Sequence, residues 1–318
     1  MAQAAPSSHG DLVLGVIGGS GLYDLPGLAD VREETLDTQF GQPSAPVVMG
    51  RIRGTTVAFL TRHGRGHRYS PSEINYRANI HAFKQLGVSR VLSISAVGSL
   101  REGIAPGDLV LVDQFIDKTH GRANTFFGGG IVGHVSFADP VCPHWVDLVA
   151  GAAASTIGAG PPAAMGGGDA EALEARTTGR LHLTGTYVCM EGPQFSTRAE
   201  SNLHRSWGAD VVGMTAATEA KLAREAELCY AVLALSTDFD CWRDGEEAVT
   251  VGSIVAVLNA NVARAQAIVV ALATAAAAAS GPLACSCARA AEQAILTARE
   301  TASPEARQRL ATLYGRYL

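Results

Sequence analysis

Two carboxylates with the spacing of a shared site stand at the end of an apolar run of the sequence. Asp238 and Asp240 follow residues 230–235, and side chains two residues apart on an extended segment point to the same side. Core packing explains neither acid, so the two carboxylates could converge on one small polar group. A solvated strand end would give the same pattern, and the other polar clusters of the chain favour the first interpretation.

A glycine-rich loop offers backbone donors for an anion. Residues 18–21 read Gly-Gly-Ser-Gly directly after the apolar run 12–17. Without Cβ atoms in the way, backbone N–H groups and the Ser20 hydroxyl can approach a ligand closely. A plain tight turn fits this segment equally well. A dinucleotide-binding turn fits it poorly, because Pro26 interrupts the long helix that should receive the pyrophosphate.

Three further polar clusters directly follow apolar runs of strand length, and they comprise Arg62 with His63, Ser95 with Ala96, and Thr215. Arginine matches the oxygen geometry of phosphate, and the ligands of open α/β sheets collect beyond the carboxyl ends of strands. These loops together predict one phosphate site. The neighbouring Arg65, His67 and Arg68 are interpreted as structural or peripheral.

The elements that would position these clusters alternate between strand and helix patterns. Apolar runs of strand length occupy residues 12–17, 57–60, 91–94, 109–112, 187–190, 211–214 and 230–235. Helical patterns occupy residues 72–86, 197–207 and 218–226. This alternation predicts an α/β fold in which a largely buried sheet lies between helices on both faces.

One domain accounts for most of the chain. We predict this domain over residues 12–280, with a Gly-, Ala- and Pro-rich surface excursion at 154–176 and a helix from 254 to 279. Residues 281–318 are predicted to form an appended helical tail of unknown role, with helices at 285–300 and 304–317. The alanine-rich run 268–279 is predicted to be a packed helix that is too short to span a bilayer.

The bulk composition is that of an ordinary globular protein. The chain has 318 residues, 47% of them hydrophobic, and a formal net charge of -5 with scattered basic residues. This composition argues against binding to nucleic acid or to a membrane surface. The six cysteines show no C-x-x-C spacing, and only Cys285 and Cys287 are close together, without a histidine nearby. They predict reduced thiols in a cytoplasmic protein, with no metal site.

Many separate motifs resemble those of the trimeric purine nucleoside phosphorylases, and within them the subgroup that acts on S-methyl-5'-thioadenosine. The motifs are residues 17–22, 62–65, 75–80, 98–102, 106–108, 113–117, 191–200 and 237–242. The resemblance implies a three-layer sandwich whose central mixed sheet is partly barrel-like and flanked by helices. It also implies a homotrimer, no metal or other cofactor, and inorganic phosphate as co-substrate.

The resemblance further implies roles for individual residues. Phosphate would contact Ser20, Arg62, His63, Ser95, Ala96 and Thr215. Met214 would lie under the ribose, Phe195 would face the purine, and Asp238 and Asp240 would meet the base edge as the catalytic pair. His134 matches a residue that reaches the 5' pocket of the neighbouring subunit.

Three features distinguish the substrate classes of the family. The paired acids Asp238 and Asp240 suit adenine, because carboxylates accept from its 6-amino group and a protonated carboxyl donates to N7, whereas the 6-oxopurine enzymes use asparagine. Those enzymes also carry a glutamate where this chain has Ser196, and a histidine that meets the 5'-hydroxyl where it has Val251. An apolar wall at Val251 suits a methylthio group, and an ordinary core-facing helix start would look the same.

The sequence therefore predicts reversible phosphorolysis of S-methyl-5'-thioadenosine to adenine and 5-methylthioribose 1-phosphate, a pentosyltransferase reaction of purine and methionine salvage. A phosphorylase of 6-oxopurine nucleosides or of methylthioinosine is the alternative within the family. A nucleoside-binding or dinucleotide-binding protein without turnover is the alternative class. Gly213, where the subgroup usually has asparagine, and residues 217–219 depart from the subgroup pattern beside the expected base site, and they leave the purine preference open.

Overall fold

Every predicted strand is present, and so is every predicted helix except the one over 285–300; several further elements have no signal in the sequence pattern. The structure is a computed structural model that describes residues 12–19, 25, 27–157, 179–243, 251–279 and 284–318, and for 251–260 it gives only the course of the backbone. Its strands are β1 (Val13–Gly18), β2 (Ala29–Glu34), β3 (Val47–Ile52), β4 (Thr55–Thr61), β5 (Val88–Ser99), β6 (Leu109–Val112), β7 (Gln114–Asp117), β8 (Leu181–His182), β9 (Thr186–Cys189), β10 (Val211–Gly213) and β11 (Cys229–Asp238). Its helices are α1 (Tyr76–Gln85), α2 (Pro143–Thr156), α3 (Arg198–Ser206), α4 (Ala216–Glu225), α5 (Val251–Ala278) and α6 (Pro304–Tyr314).

Strand β5 is the centre of an eleven-stranded mixed sheet. It pairs in parallel with β1 along one edge and with β11 along the other, and its last residues pair in antiparallel with β10. The main path runs β2-β3-β4-β1-β5-β10-β9-β7, while β11 continues through β6 to β8. Among the described strands, the two ends of the main path do not pair with each other. The sheet therefore branches at β5 and stays open, without closing into a barrel.

Helices cover both faces of this sheet, as the sequence predicts. Successive residues of β11 alternate between two hydrophobic clusters, since Val232 packs in one and Leu233 in the other, and side chains alternate across a strand. Helices α1, α4 and α6 contribute to the first cluster, and α2 and α5 contribute to the second. Burial on both faces explains why the central strands read as continuous apolar runs.

The polar clusters meet because their strands are parallel. Strands β4, β1, β5 and β11 are neighbours that run in the same direction, so their carboxyl ends lie along one edge of the sheet. Arg62 follows β4, and Asp238 is the last residue of β11. Ser95 and Ala96 lie inside β5, which extends to Ser99, and not in a loop after residue 94 as the apolar run predicts. The extension arises because the end of β5 still pairs with β10 and β11.

The carboxyl-terminal segment packs on the same core as the sheet. The predicted helix over 304–317 is present as α6, and its residues Leu310 and Tyr314 belong to the hydrophobic cluster that also contains α1. The predicted helix over 285–300 is wrong, since the segment forms only the short 3-10 turns Cys287–Arg289 and Arg299–Thr301. Backbone pairing of this segment with residues 132–134 outweighs its alanine-rich helix propensity.

Two predictions about chain organisation fall largely on residues that the structure does not describe. The surface excursion at 154–176 lies outside the described residues from 158 onward. The boundary between a domain over 12–280 and a tail over 281–318 falls at 280–283, also outside them, and it stays a prediction.

Helix α5 is longer than its alanine-rich end suggests. It has 28 residues, and its stretch Asn261–Ala278 is long and apolar enough to cross a membrane by length and composition alone. This stretch begins before the alanine-rich run 268–279, which is too short on its own. Its residues Ile268, Val269 and Leu272 are fully buried in the core against the sheet. A core helix of a globular protein has this character as well.

Candidate active site

The carboxyl edge of the sheet encloses one cavity of about 970 Å³. Nine of the residues predicted for phosphate and substrate line it, namely Arg62, His63, Ser95, Ala96, Phe195, Met214, Thr215, Asp238 and Asp240. Residues from β1, β4, β5, β10 and β11 therefore share one space, and its volume suits a ligand of nucleoside size.

A buried ion pair holds Arg62 in the wall of this cavity. Its Nε donates to Oε1 of Glu219 at 2.5 Å and its Nη2 donates to Oε2 at 3.2 Å. The guanidinium also donates to the Ser93 hydroxyl at 2.7 Å and to the carbonyl of Ile94 at 3.0 Å. Burial alone lowers the pKa of Arg62, but the Glu219 carboxylate outweighs it and the net pKa is raised. Arg62 therefore stays a cation beside the cavity.

His63 is neutral and has a defined tautomer. Burial, reinforced by the charge of Arg62, lowers its pKa to about 4. Nδ1 lies 2.8 Å from the carbonyl oxygen of Tyr69, and because a carbonyl can only accept, Nδ1 carries the proton. Nε2 is then the hydrogen-bond acceptor of the ring. The ring stacks on His67 with 4.2 Å between centroids.

Thr215 and Ser95 meet around the hydroxyl of a buried tyrosine. Thr215 is the N-cap residue of α4, and its side chain makes no capping hydrogen bond, so its hydroxyl stays available beside the helix N-terminus, where anions are stabilised. The Tyr187 hydroxyl lies 3.4 Å from both the Ser95 hydroxyl and the Thr215 amide nitrogen. Burial raises the pKa of Tyr187 to about 12, so it stays protonated.

Gly213 makes room for this tyrosine. A Cβ built on Gly213 would lie 2.0 Å from the Tyr187 hydroxyl oxygen and 2.6 Å from the ring carbon that carries it. No side chain fits residue 213 while Tyr187 keeps this position. The asparagine of the subgroup pattern is therefore excluded here by a residue from the neighbouring strand β9.

The two acids are linked through the backbone. The amide of Asp240 donates to Oδ1 of Asp238 at 2.7 Å, and Asp240 adopts a left-handed φ of 52°, which aspartate tolerates better than most residues. The Thr237 hydroxyl lies 2.7 Å from the other oxygen of Asp238. Oδ2 of Asp240 is buried and has no hydrogen-bond partner among the described residues. Because a buried polar atom without a partner is costly, this oxygen is suited to a donor on a ligand.

Met214 is fixed by a buried arginine that the sequence pattern does not reveal. Arg122 donates to the carbonyl of Met214 and, at 2.6 Å, to the carbonyl of Glu191. Its side chain is almost fully buried and also pairs with the Glu191 carboxylate. Arg122 therefore ties the end of β10 to the loop that carries Phe195, which is 44% exposed at the cavity mouth.

The remaining predicted residues lie outside the described cavity lining. Ser20 is outside the described residues, as is the side chain of Val251. Ser196 lies behind Met190, whose sulfur accepts from its hydroxyl at 3.6 Å, and it is not among the lining residues. His134 is exposed, with its amide bonded to the carbonyl of Ala294. The specificity and subunit-contact roles of these residues stay predictions.

Two residues near the site differ in position from what the sequence suggests. His67 and Arg68 line the cavity, although they are interpreted as peripheral from the sequence, while Arg65 pairs with Glu33 at the surface. Residues 217–219 lie in the first turn of α4 and are buried behind the cavity wall. They are not among the residues that line the cavity, and Glu219 contacts Arg62 in the cavity wall.

Comparison with known proteins identifies the class. Residues 13–274 match the Phosphorylase superfamily, and the chain belongs to this family. The S-methyl-5'-thioadenosine phosphorylase of Geobacter sulfurreducens is 50% identical over 307 residues, which cover 96% of this chain and 99% of that protein.

Solved structures agree with this placement. A methylthioadenosine phosphorylase from an antarctic soil metagenomic library has a TM-score of 0.84 and 46% identity, covering 96% of this chain and 99% of its own. A methylthioadenosine phosphorylase from Schistosoma mansoni in complex with adenine has a TM-score of 0.75 and 37% identity, covering 84% and 93% respectively. These similarities confirm the predicted family and its three-layer fold with a mixed sheet.

Proposed function

We propose that the protein catalyses the reversible phosphorolysis of S-methyl-5'-thioadenosine to adenine and 5-methylthioribose 1-phosphate. The observation that carries this proposal is the single cavity whose lining includes Arg62 and Thr215 together with Asp238 and Asp240. An anion and a purine bound in these two regions would lie on either side of one ribose. The relatives named as phosphorylases of this nucleoside support the same reaction.

Phosphate would bind at the Arg62 end of the cavity. The guanidinium supplies positive charge, and Ser95, Thr215 and the backbone of Gly18 and Gly19 supply hydrogen-bonding groups at the same wall. With its proton on Nδ1, His63 presents an acceptor, which matches the P–OH group of hydrogen phosphate. Ser20 would extend this site from the adjoining loop.

Adenine would bind at the opposite end, where the two acids lie. Its 6-amino group is a donor, and Oδ2 of Asp240 is a buried acceptor that has no partner among the residues the structure describes. Asp238 would contact N7 beside it, and Phe195 would pack on the face of the ring. Two carboxyl groups suit the donor at C6 of adenine better than the oxygen at C6 of inosine or guanosine.

Bond cleavage would use both ends of the cavity at once. As the glycosidic bond breaks, its electron pair moves into the purine while positive charge develops on the ribose ring. Bound phosphate would stabilise that charge and form the new C1'–O bond, while Asp238 would give its proton to N7.

The Thr237 hydroxyl can form a hydrogen bond with either the protonated or the ionised carboxyl group of Asp238. The single proton of the Thr237 hydroxyl has two acceptors within reach, Oδ2 of Asp238 at 2.7 Å and the carbonyl of Val97 at 3.2 Å. When Thr237 donates to Val97, its oxygen can accept from a protonated Asp238. A general acid loses its proton and regains it in each turnover, so its surroundings must accept both the protonated and the ionised carboxyl group.

We also propose a homotrimer and a cytoplasmic location. Val132 and Leu296 are joined by a backbone hydrogen bond and are 51% and 68% exposed, so an apolar surface lies beside His134, the residue expected to reach a neighbouring subunit. The free state of all six thiols supports a reducing compartment. Light scattering of the purified protein should give three times the mass of the chain, and His134→Ala should raise KM for the nucleoside.

Parallel assays of methylthioadenosine, adenosine and inosine, each with and without phosphate, test the proposed reaction. We expect the fastest base release from methylthioadenosine, one methylthioribose 1-phosphate for each adenine, and no release without phosphate. Faster release from inosine would identify a 6-oxopurine phosphorylase. Saturable nucleoside binding with no phosphate-dependent release would identify a binding protein.

A further inference from the structure

Four of the six cysteines meet at one place far from the cavity. Cys142, Cys229, Cys285 and Cys287 have Sγ atoms that all lie within 4.8 Å of one another. Cys229 is the first residue of β11 and Asp238 is the last, so the cysteine cluster lies about 30 Å along the strand from the catalytic acid. It is therefore a separate feature of the fold.

Three distant parts of the chain build this cluster. Cys142 is the N-cap residue of α2, and its amide donates to the carbonyl of Tyr230 at 2.9 Å, which fixes it beside the start of β11. Cys285 and Cys287 belong to the carboxyl-terminal segment, and the sulfur of Cys285 lies 3.5 Å from that of Cys229. Three of the four residues are buried.

The spacing of the sulfurs fits a tetrahedral metal site better than disulfides. Four thiolates around Zn²⁺ at about 2.3 Å lie about 3.8 Å from one another, and the observed separations are 3.5 Å for one pair and at most 4.8 Å for any pair. The two sulfurs of a disulfide lie about 2.05 Å apart, and all six cysteines are free. Four sulfur ligands leave no open position, as in structural zinc sites.

A buried cation and a helix N-terminus lie beside the cluster. Arg90 is 4% exposed, and it lies directly opposite Cys229, on the neighbouring strand β5. Cys142 lies at the N-terminus of α2, whose dipole favours a thiolate. Four thiolates around one divalent cation carry a net negative charge, and the positive charge of Arg90 and of the helix N-terminus stabilises it.

We propose that Cys142, Cys229, Cys285 and Cys287 bind one Zn²⁺ as a structural site. Binding would replace four S–H bonds by four Zn–S bonds and release four protons to solvent, with no electron transfer. The ion would fasten the carboxyl-terminal segment to α2 and β11. Leu310 of the same segment lies in the hydrophobic core, and the carbonyl of Ala294 accepts a hydrogen bond from the amide of His134. The zinc site would therefore stabilise the fold around the expected subunit contact.

The C-x-C spacing of Cys285 and Cys287 explains why the sequence suggests no metal. Zinc ligands on one loop are usually separated by two to four residues, and the other two cysteines lie far away in the chain. The four sulfurs come together only because α2, the start of β11 and the segment with Cys285 and Cys287 pack against one another.

Metal analysis of the reduced full-length protein after incubation with zinc sulfate and gel filtration tests this site. We expect one zinc per chain in the wild type and in Cys241→Ser, whose sulfur lies outside the cluster. We expect none in the double variant Cys285→Ser/Cys287→Ser. Removal of zinc with a chelator should lower the thermal midpoint of the wild type and leave that of the double variant unchanged.

Cobalt titration of the wild type gives a second readout that does not depend on the folding of a variant. Co²⁺ in a four-thiolate site should produce the intense visible bands of tetrahedral coordination and sulfur-to-metal charge transfer, and zinc should abolish them. Absence of stoichiometric zinc from the reduced wild type would overturn the proposal. So would equal zinc in the double variant, or octahedral cobalt bands. A disulfide within the cluster of protein kept under reductant would also overturn it.

Discussion

The hydroxyl of Tyr187 occupies the space in which a side chain on Gly213 would begin. The two residues lie on neighbouring parallel strands, and a Cβ on residue 213 would be 2.0 Å from that hydroxyl oxygen. The same hydroxyl lies between Ser95 and the amide of Thr215. The absence of a side chain at residue 213 therefore allows Tyr187 to contact Ser95 and Thr215 at the phosphate end of the cavity.

Gly213→Ala should weaken phosphate binding. The new methyl group would displace Tyr187 and disturb its two hydrogen bonds, each worth about 1 kcal/mol, so we expect KM for phosphate to rise by up to about 30-fold. Initial rates at varied phosphate and saturating nucleoside measure this effect. Gly103→Ala is the matched control, because a Cβ there meets no atom within 4 Å.

A second substitution, at Tyr187, tests whether the effect of Gly213→Ala on phosphate binding acts through Tyr187. In a Tyr187→Leu background the methyl group has room, so Gly213→Ala should change KM for phosphate little. An equal increase of KM in both backgrounds would show that the two residues act independently.

The sequence predicts most of the residues that line the cavity, because these residues lie close to the ends of strands. Arg62, His63, Thr215 and Asp238 each lie at or directly after the end of an apolar run, and parallel strands bring such ends together. Tyr187 shows where this reasoning stops. Within its strand it looks like any other buried aromatic residue, and only the adjacency of β9 and β10 gives its hydroxyl a function.

Several elements are not predictable from periodicity for physical reasons. Strand β2 is the edge strand of the sheet and reads Ala-Asp-Val-Arg-Glu-Glu, almost entirely exposed, so it has no apolar face to detect. Arg122 lies in a polar stretch without pattern, and its role depends on two carbonyls from distant segments. Glu219 sits in a helix where an acid is ordinarily solvated.

Glu219→Gln should destabilise the protein strongly. Loss of its charge leaves Arg62 buried without a counterion, which costs about 3 kcal/mol or more in free energy of unfolding. Urea unfolding measures this change. Glu33→Gln provides the control, because it breaks the exposed pair with Arg65 and should cost less than about 1 kcal/mol. Similar losses in the two variants would contradict the role given to the buried pair.

Stability should fall as the pH drops below the ordinary range of histidine, and His63 should account for part of the loss. The pKa of His63 is about 4 in the folded protein and about 6.5 in the unfolded chain. As the pH falls between these two values, the unfolded chain binds a proton that the folded protein does not bind, and the free energy of unfolding decreases. Between about pH 7.5 and about pH 5 the contribution is about 2 kcal/mol.

Comparison of the wild type with His63→Asn isolates this contribution. Asparagine retains a neutral donor toward the Tyr69 carbonyl and does not titrate. The free energy of unfolding of the variant should therefore decline less over the same pH interval. Parallel pH profiles would show that His63 titrates normally in the folded protein.

The most direct measurement of the central claim, that Asp238 protonates the departing base across the cavity from bound phosphate, is kcat of Asp238→Asn for methylthioadenosine phosphorolysis. Asparagine keeps the shape and the acceptor for the Asp240 amide but has no acidic proton. We predict a fall in kcat of about 10²–10⁴-fold, an unchanged fold, and a relative shift toward inosine. The surface variant Asp147→Asn should keep the wild-type rate. A wild-type kcat in Asp238→Asn would contradict the mechanism.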